Sequence, residues 1–244
     1  LGAISVKSYQ QPSRRQRQWL LSAAREGGLN VYTEGGGDLF GNIGMAIDGH
    51  TGVEHALPVA PLYRDVAEIW ARTGTGYTPT LLVAYGGISG ERFFYQSEEL
   101  LSDEKFLRFT PENWVDSHLR RLGFYVRDND WFHQSVAESA GAISELGGNV
   151  QLGGHGQVQG MGPHWELWAL AGGMGNEGAL YAATMGGAHY LGFERDLGSI
   201  EEGKLADMLL IHGNPIENIR DSINIVEVIQ GGVRYSGESL EVLR

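Results

Sequence analysis

Short apolar runs alternate with helical stretches along this chain, and the runs close on polar side chains at a nearly regular interval. Lys7, Glu34, His55 and Thr80 end four successive runs, 27, 21 and 25 residues apart, and His155 ends a fifth after a gap of 75. A strand with its crossover helix occupies about that length of chain. The alternation therefore predicts βα units and a parallel sheet. Strands are expected over 2–8, 29–33, 52–57, 77–83 and 149–153. Helices are expected over 13–26, 39–48, 64–72 and 134–146, and two more over 164–171 and 176–187. The gap before the fifth strand holds a long insertion, about 86–131, rich in Phe and Trp. A connection of that length in a compact domain is usually functional or carries its own helices.

The tail changes character. From Gly198 the apolar runs 208–211, 225–229 and 233–235 follow one another without helices, and Gly231-Gly232 reads as a hairpin turn. The division is residues 1–197 for the βα part and 198–244 for a separate β layer. With 42% hydrophobic and 20% charged residues the chain can bury a core. Its 37 glycines suit many tight turns.

Composition excludes several functions. The net charge of −12 argues against a nucleic-acid partner. No cysteine is present, so a metal would need His, Asp, Glu or a modified Lys. No run is long enough to cross a bilayer, and no segment reads as a signal peptide. Residues 1–6 read as a buried strand, so a preceding N-terminal region is expected.

In parallel α/β barrels the reactive groups gather at the C-terminal ends of strands. Lys7, Glu34, His55 and His155 each end a different strand and each can ligate a metal or move a proton. Each also has a plainer reading. Lys7 could be a solvated strand end, Glu34 could accept from the backbone of Gly35–Gly37, and His55 could be a satisfied core histidine. His155 lies in Gly-Gly-His-Gly, where glycines leave room for close approach. His164 opens a helix after a loop and is a candidate substrate contact, as is Tyr85 at the start of the insertion. His50 and Asp48 read as structural.

The run Gly198-Ser199-Ile200-Glu201-Glu202-Gly203-Lys204-Leu205-Ala206-Asp207 resembles the signature that closes amidohydrolases of the imidazolonepropionase and Xaa-Pro dipeptidase type. Upstream, Glu177-Gly178-Ala179-Leu180-Tyr181-Ala182-Ala183-Thr184 resembles their penultimate helix, Gly52-Val53-Glu54-His55 their strand-six motif, and Thr78-Pro79-Thr80-Leu81 their strand-seven motif. The Val-Lys-Ser-Tyr and Asp-Gly-His-Thr-Gly-Val-Glu-His segments look most similar to a bacterial subgroup often fused to an N-terminal β-propeller. The resemblance covers nearly the whole chain apart from the insertion.

It implies an α/β fold, strands four to eight of a TIM (β/α)8 barrel plus strands of a small β-sandwich. Strands one to three, with the family's His-x-His metal motif, would lie outside this chain. It implies a metal-dependent hydrolase of amide or other C–N bonds, with one or two divalent ions, zinc by preference. Lys7 would match a lysine that is often carboxylated, and His55 a metal histidine. Glu34 stands where the family usually has His, and His155 where it usually has Asp, so His155 would be ligand or proton acceptor. Expected partners are a small-molecule or peptide-like substrate and further copies of the chain. A periplasmic location would suit the propeller-fused relatives, with a cytoplasmic one as the alternative. The competing expectations are a non-catalytic binding barrel, or a fragment inactive by itself.

Overall fold

The computed structural model describes residues 2–84, 87–119 and 126–243. Four short strands, β1 (Ser5–Lys7), β2 (Asn30–Glu34), β3 (Gly52–Glu54) and β4 (Gly76–Thr78), pair in parallel in that order. Helices α1 (Arg14–Glu26), α2 (Leu39–Asp48) and α3 (Arg64–Thr73) connect them. Local chemistry sets the helix ends. Ser13 and Asp38 cap α1 and α2 by accepting from Gln16 N and Phe40 N, which satisfies N–H groups a helix start leaves orphaned. Gly74 ends α3 in the left-handed conformation that glycine adopts without penalty.

The expected fifth strand is reduced to one residue in a bridge, Val150 beside Tyr77. Tyr77 N donates to Asn149 O at 2.9 Å and Gln151 N to Tyr77 O at 3.1 Å, so the segment still occupies the fifth place in the sheet. Past Gln151 the chain turns into the glycine loop around His155. The fourth strand is likewise shorter than expected. Thr80 takes a positive φ, and residues 81–83 form a 3-10 turn whose first N–H groups are taken by Glu166. Leu81 N and Leu82 N donate to the two Glu166 carboxylate oxygens at 2.7 and 3.0 Å. Glu166 is fully buried, and burial pushes its carboxyl up to about 8 against the pull of those two bonds.

Helix α7 (Phe132–Glu145) packs on α8 (Met161–Tyr181). A Cβ at Gly173 would overlap the Ala137 carbonyl, and one at Gly141 would overlap the Gly173 carbonyl, so the two backbones touch. The two helices expected over 164–187 are present as the two parts of α8, separated by a non-helical Gly175 (φ 72°, ψ 167°), and the second runs on through a π turn at 182–186 into α9 (Gly187–Leu191). The break falls in the glycine-rich stretch 172–175, and the tight contact with α7 holds its first part helical. The main core lies between the sheet and these helices. Trp70 and Tyr77 are fully buried there, ring edge to ring face at 6.2 Å.

The insertion carries α4 (Gly90–Ser97), α5 (Glu104–Phe109) and α6 (Glu112–Leu119). It packs through Phe94, which stacks on Trp165 at 5.2 Å. His133 is buried against Phe93, Phe94 and Trp131. In the tail, β5 (Met208–Ile211), β6 (Ile225–Gln230) and β7 (Val233–Ser236) form an antiparallel sheet, with Gly231-Gly232 as the hairpin turn. Lys204 of the closing signature donates to Glu194 O and to Ser199 Oγ, both at 2.6 Å, and so fastens the turn before β5. Among the described residues no helix is long and apolar enough to cross a membrane.

Two outcomes follow from this packing. On the sheet face away from α2 and α3, Gly52 and Gly76 are register partners, and a Cβ on either would overlap the Tyr190 ring. Gly52→Ala is expected to lower unfolding free energy by about 1–3 kcal/mol in urea titrations, and the loss should largely vanish in a Tyr190→Ala background. Burial also lowers the His133 imidazole to about 4, from an ordinary value near 6.5. Its neutral form is favoured in the fold, so its contribution is present above about pH 6.5 and is lost as pH falls through about 4. His133→Phe should flatten that part of the stability–pH curve relative to the parent chain.

Candidate functional site

Parallel register builds the site in rows. Val53 and Tyr77 face the helices and join the main core, so Glu54 and Thr78, the next residues along, face the opposite side. Glu34 pairs with Glu54 and Glu54 with Thr78 in one row across three strands. The row below is Tyr32, Gly52 and Gly76. Tyr190 of α9 lies over those glycines, donates its hydroxyl to Glu54 Oε1 and packs on Tyr32 at 4.7 Å between ring centroids. Tyr32 in turn donates to Tyr190 O at 2.9 Å. Burial raises the Glu54 carboxyl above its ordinary range, and the Tyr190 and Thr78 hydrogen bonds only partly offset this.

At the upper rim the strand-end residues meet. Lys7 Nζ donates to Glu34 Oε1 at 2.8 Å, and His55 Nε2 lies 4.0 Å from the same oxygen. The His55 and His155 rings are 5.0 Å apart, edge to face. The Lys7 bond holds the Glu34 carboxyl below the usual range, and Glu34 raises the Lys7 amine. His55 is lowered first by burial and then by His155. His55 (φ 72°) and His155 (φ 53°) both occupy the left-handed region, which is costly for residues with a Cβ. Gly153 lets the His155 loop approach, because a Cβ there would overlap the Thr78 methyl. The four residues read from the strand ends are thus gathered at one mouth.

The other candidates sit differently. Thr80 is buried and donates to Thr78 O at 3.3 Å. The polar contact of His164 is Ser222 in the tail, whose Oγ is 3.1 Å from His164 Nδ1 and accepts from Trp168 Nε1 at 3.0 Å. That contact joins α8 to the 3-10 turn at 219–223 that links β5 to β6. Tyr85 lies outside the described residues. His50 and Asp48 are structural: His50 Nδ1 donates to Met45 O, and Asp48 takes Arg14 and Arg17 at 2.7 and 3.1 Å.

Glu34 and His55 offer an oxygen and a nitrogen 4.0 Å apart. Two ligand atoms on a tetrahedral zinc, at bonds of roughly 2.0–2.2 Å, stand about 3.3–3.6 Å apart, so the pair would have to close by about half an ångström to share one ion. Among the described residues no group of three His, Asp or Glu is arranged to hold a metal. The donor types fit zinc, and the set as described is partial. Lys7, as an amine, brings a cation to Glu34. Its carboxylated form would bring an anion, which needs a metal ion between the two.

Sequence reading missed Glu54, Tyr190, Gln157 and Glu91. Glu54 was accessible in principle, since period-two alternation puts it on the Gly52 face. The other three depend on contacts between distant segments, such as Gln157 Nε2 to Glu91 Oε2 at 2.7 Å.

The profile described as "Amidohydrolase family" matches residues 110–234, just over half the chain. The match includes His155 and the closing signature, while Lys7, Glu34 and His55 precede it. Among solved structures, a Xaa-Pro dipeptidase with bound methionine in its active site superposes with a TM-score of 0.67 at 25% identity, over 97% of this chain and 55% of that one. A putative prolidase from Bifidobacterium longum gives 0.63 at 20% identity, over 99% and 55%. An adenosine deaminase from Xanthomonas campestris with bound zinc gives 0.57 at 13% identity, over 98% and 52%. This chain therefore spans about half the length of these proteins, and their shared architecture marks its sheet as part of a TIM barrel. The search among curated proteins returned no match.

The ion pair makes a direct prediction. In metal-free Lys7→Met the Glu34 carboxyl should titrate at higher pH than in the parent chain, read from side-chain carboxyl carbon shifts. An unchanged Glu34 titration would remove Lys7 as the cause of its low value.

Proposed function

Because this chain belongs to the amidohydrolase family, we propose that it carries the reactive side of a metal-dependent hydrolase cleaving an amide or other C–N bond. The observation that supports this most is the meeting of Lys7, Glu34 and His55, from the ends of three strands, with His155 of the glycine loop at one rim. The family is generally metal-dependent, and the donor types favour zinc. Glu34 and His55 would hold the ion, with further ligands from outside these 244 residues. A bound zinc supplies Lewis acidity toward a carbonyl oxygen and acidifies water.

The chain's own groups do the rest. Lys7 keeps Glu34 ionised and fixes the direction of its carboxylate. The Tyr190–Glu54 bond makes a firm floor beneath it. His155 Nε2 accepts a proton from the attacking water and delivers it to the leaving nitrogen, the general acid–base role that an imidazole within reach of both can fill. The substrate is small or peptide-like, in keeping with the Xaa-Pro dipeptidase and the putative prolidase on which the chain superposes.

Zinc-loaded protein tested against dipeptides ending in proline and against N-acyl amino acids should hydrolyse at least one class and lose activity to a chelator. His155→Asn should lower kcat by about 10²–10⁴-fold with zinc content retained. Glu34→Gln and His55→Ala should lower zinc content itself, measured by elemental analysis. Parent protein that takes up no more zinc than those two variants and hydrolyses no member of the panel would sink this reading.

A further inference from the structure

His155 stands on an exposed glycine loop, and an exposed ring there could present either nitrogen. Its Nδ1 lies 3.1 Å from Gln157 Oε1. Gln157 Nε2 in turn donates to Glu91 Oε2, in the first turn of α4, at 2.7 Å. An ionised carboxylate only accepts hydrogen bonds. Glu91 therefore fixes which end of the Gln157 amide it faces, because the reverse orientation would set oxygen against oxygen. The amide oxygen is left facing His155, and it too only accepts. Nδ1 must then carry the proton, and in the neutral ring Nε2 keeps its lone pair.

We infer that Glu91 and Gln157 are positioning residues that hold His155 as the Nδ1–H tautomer and keep its Nε2 lone pair available beside His55. The role given to that lone pair rests on the hydrolase reading; the tautomer itself does not. The geometry gives the insertion a second task, since Glu91 lies 66 residues before Gln157 and reaches the His155 loop across the barrel rim. Neutral histidine in water prefers the proton on Nε2, so without the relay the ring should revert. The arrangement is the amide counterpart of the carboxylate or carbonyl that commonly orients a functional histidine through its other nitrogen.

The test is the long-range proton–nitrogen spectrum of ¹⁵N-labelled, metal-free full chain, about two pH units above the ordinary histidine value of roughly 6.5. The His155 signals are identified by their loss in His155→Asn. The parent should show a protonated Nδ1 and a bare Nε2. Gln157→Leu should move the proton predominantly to Nε2, with the buried His50 and His133 signals unchanged as a check on folding. The double variant Glu91→Gln with Gln157→Glu reverses the donor and acceptor of the upper bond and leaves an acceptor facing Nδ1, so it should restore the parent pattern. A parent His155 already protonated at Nε2, or a pattern unmoved in Gln157→Leu, overturns the inference. If the spectra follow expectation while no substrate is hydrolysed, the catalytic reading fails and the relay stands.

Discussion

Parallel pairing of β1 to β4 in one register is the constraint on which the molecule rests. It brings strand ends that are far apart in sequence to a common rim, and it stacks Glu34, Glu54 and Thr78 in a single row. Backbone hydrogen bonds impose this order before any side chain acts. Slipping one strand by a single residue would turn its inward set toward the helices. Glu34 would then lose Lys7 and face Val53 and its neighbours, where an unpaired carboxylate is costly. The polar rim and the apolar outer face thus specify the same alignment.

Beneath the rim, space is managed by what is left out. Gly52 and Gly76 give up side chains on adjacent strands so that the ring of Tyr190 can enter from α9 and meet Glu54. The last helix of the βα part thereby becomes the floor of the site. The closing signature that follows it is architectural: Lys204 ties its turn to Glu194, and Ser222 ties the tail to α8.

The sequence displayed some of this openly. Ser13, Asp38 and Gly74 mark helix ends by local chemistry, and α1 to α3 lie within a residue or so of where those signals put them. The rim residues were legible because βα spacing is nearly periodic and strand ends are recognisable. The strand over 77–83 was overextended because nothing local announces that Glu166, 85 residues away, takes the N–H of Leu81. The fifth strand was overextended because its apolar run continues toward glycines that bend instead of pairing. The break between the two parts of α8 falls at Gly175, as the glycine-rich stretch suggests, while the extension of the first part through Gly173 lies against Ala137, a contact only tertiary packing reveals. Gln157 and Glu91 carry no local mark either, since their meaning lies in which atom of each faces the other.

The contact of bare backbones between α7 and α8 has a mechanical consequence. With no side chain at Gly141 or Gly173 to re-pack, neither helix can slide or roll along the other without one main chain striking its neighbour. The pair forms a stiff strut bracing the segment that carries His155. Any widening of the rim to admit or release a molecule must then be borne by the elements that are not braced in this way, the insertion foremost.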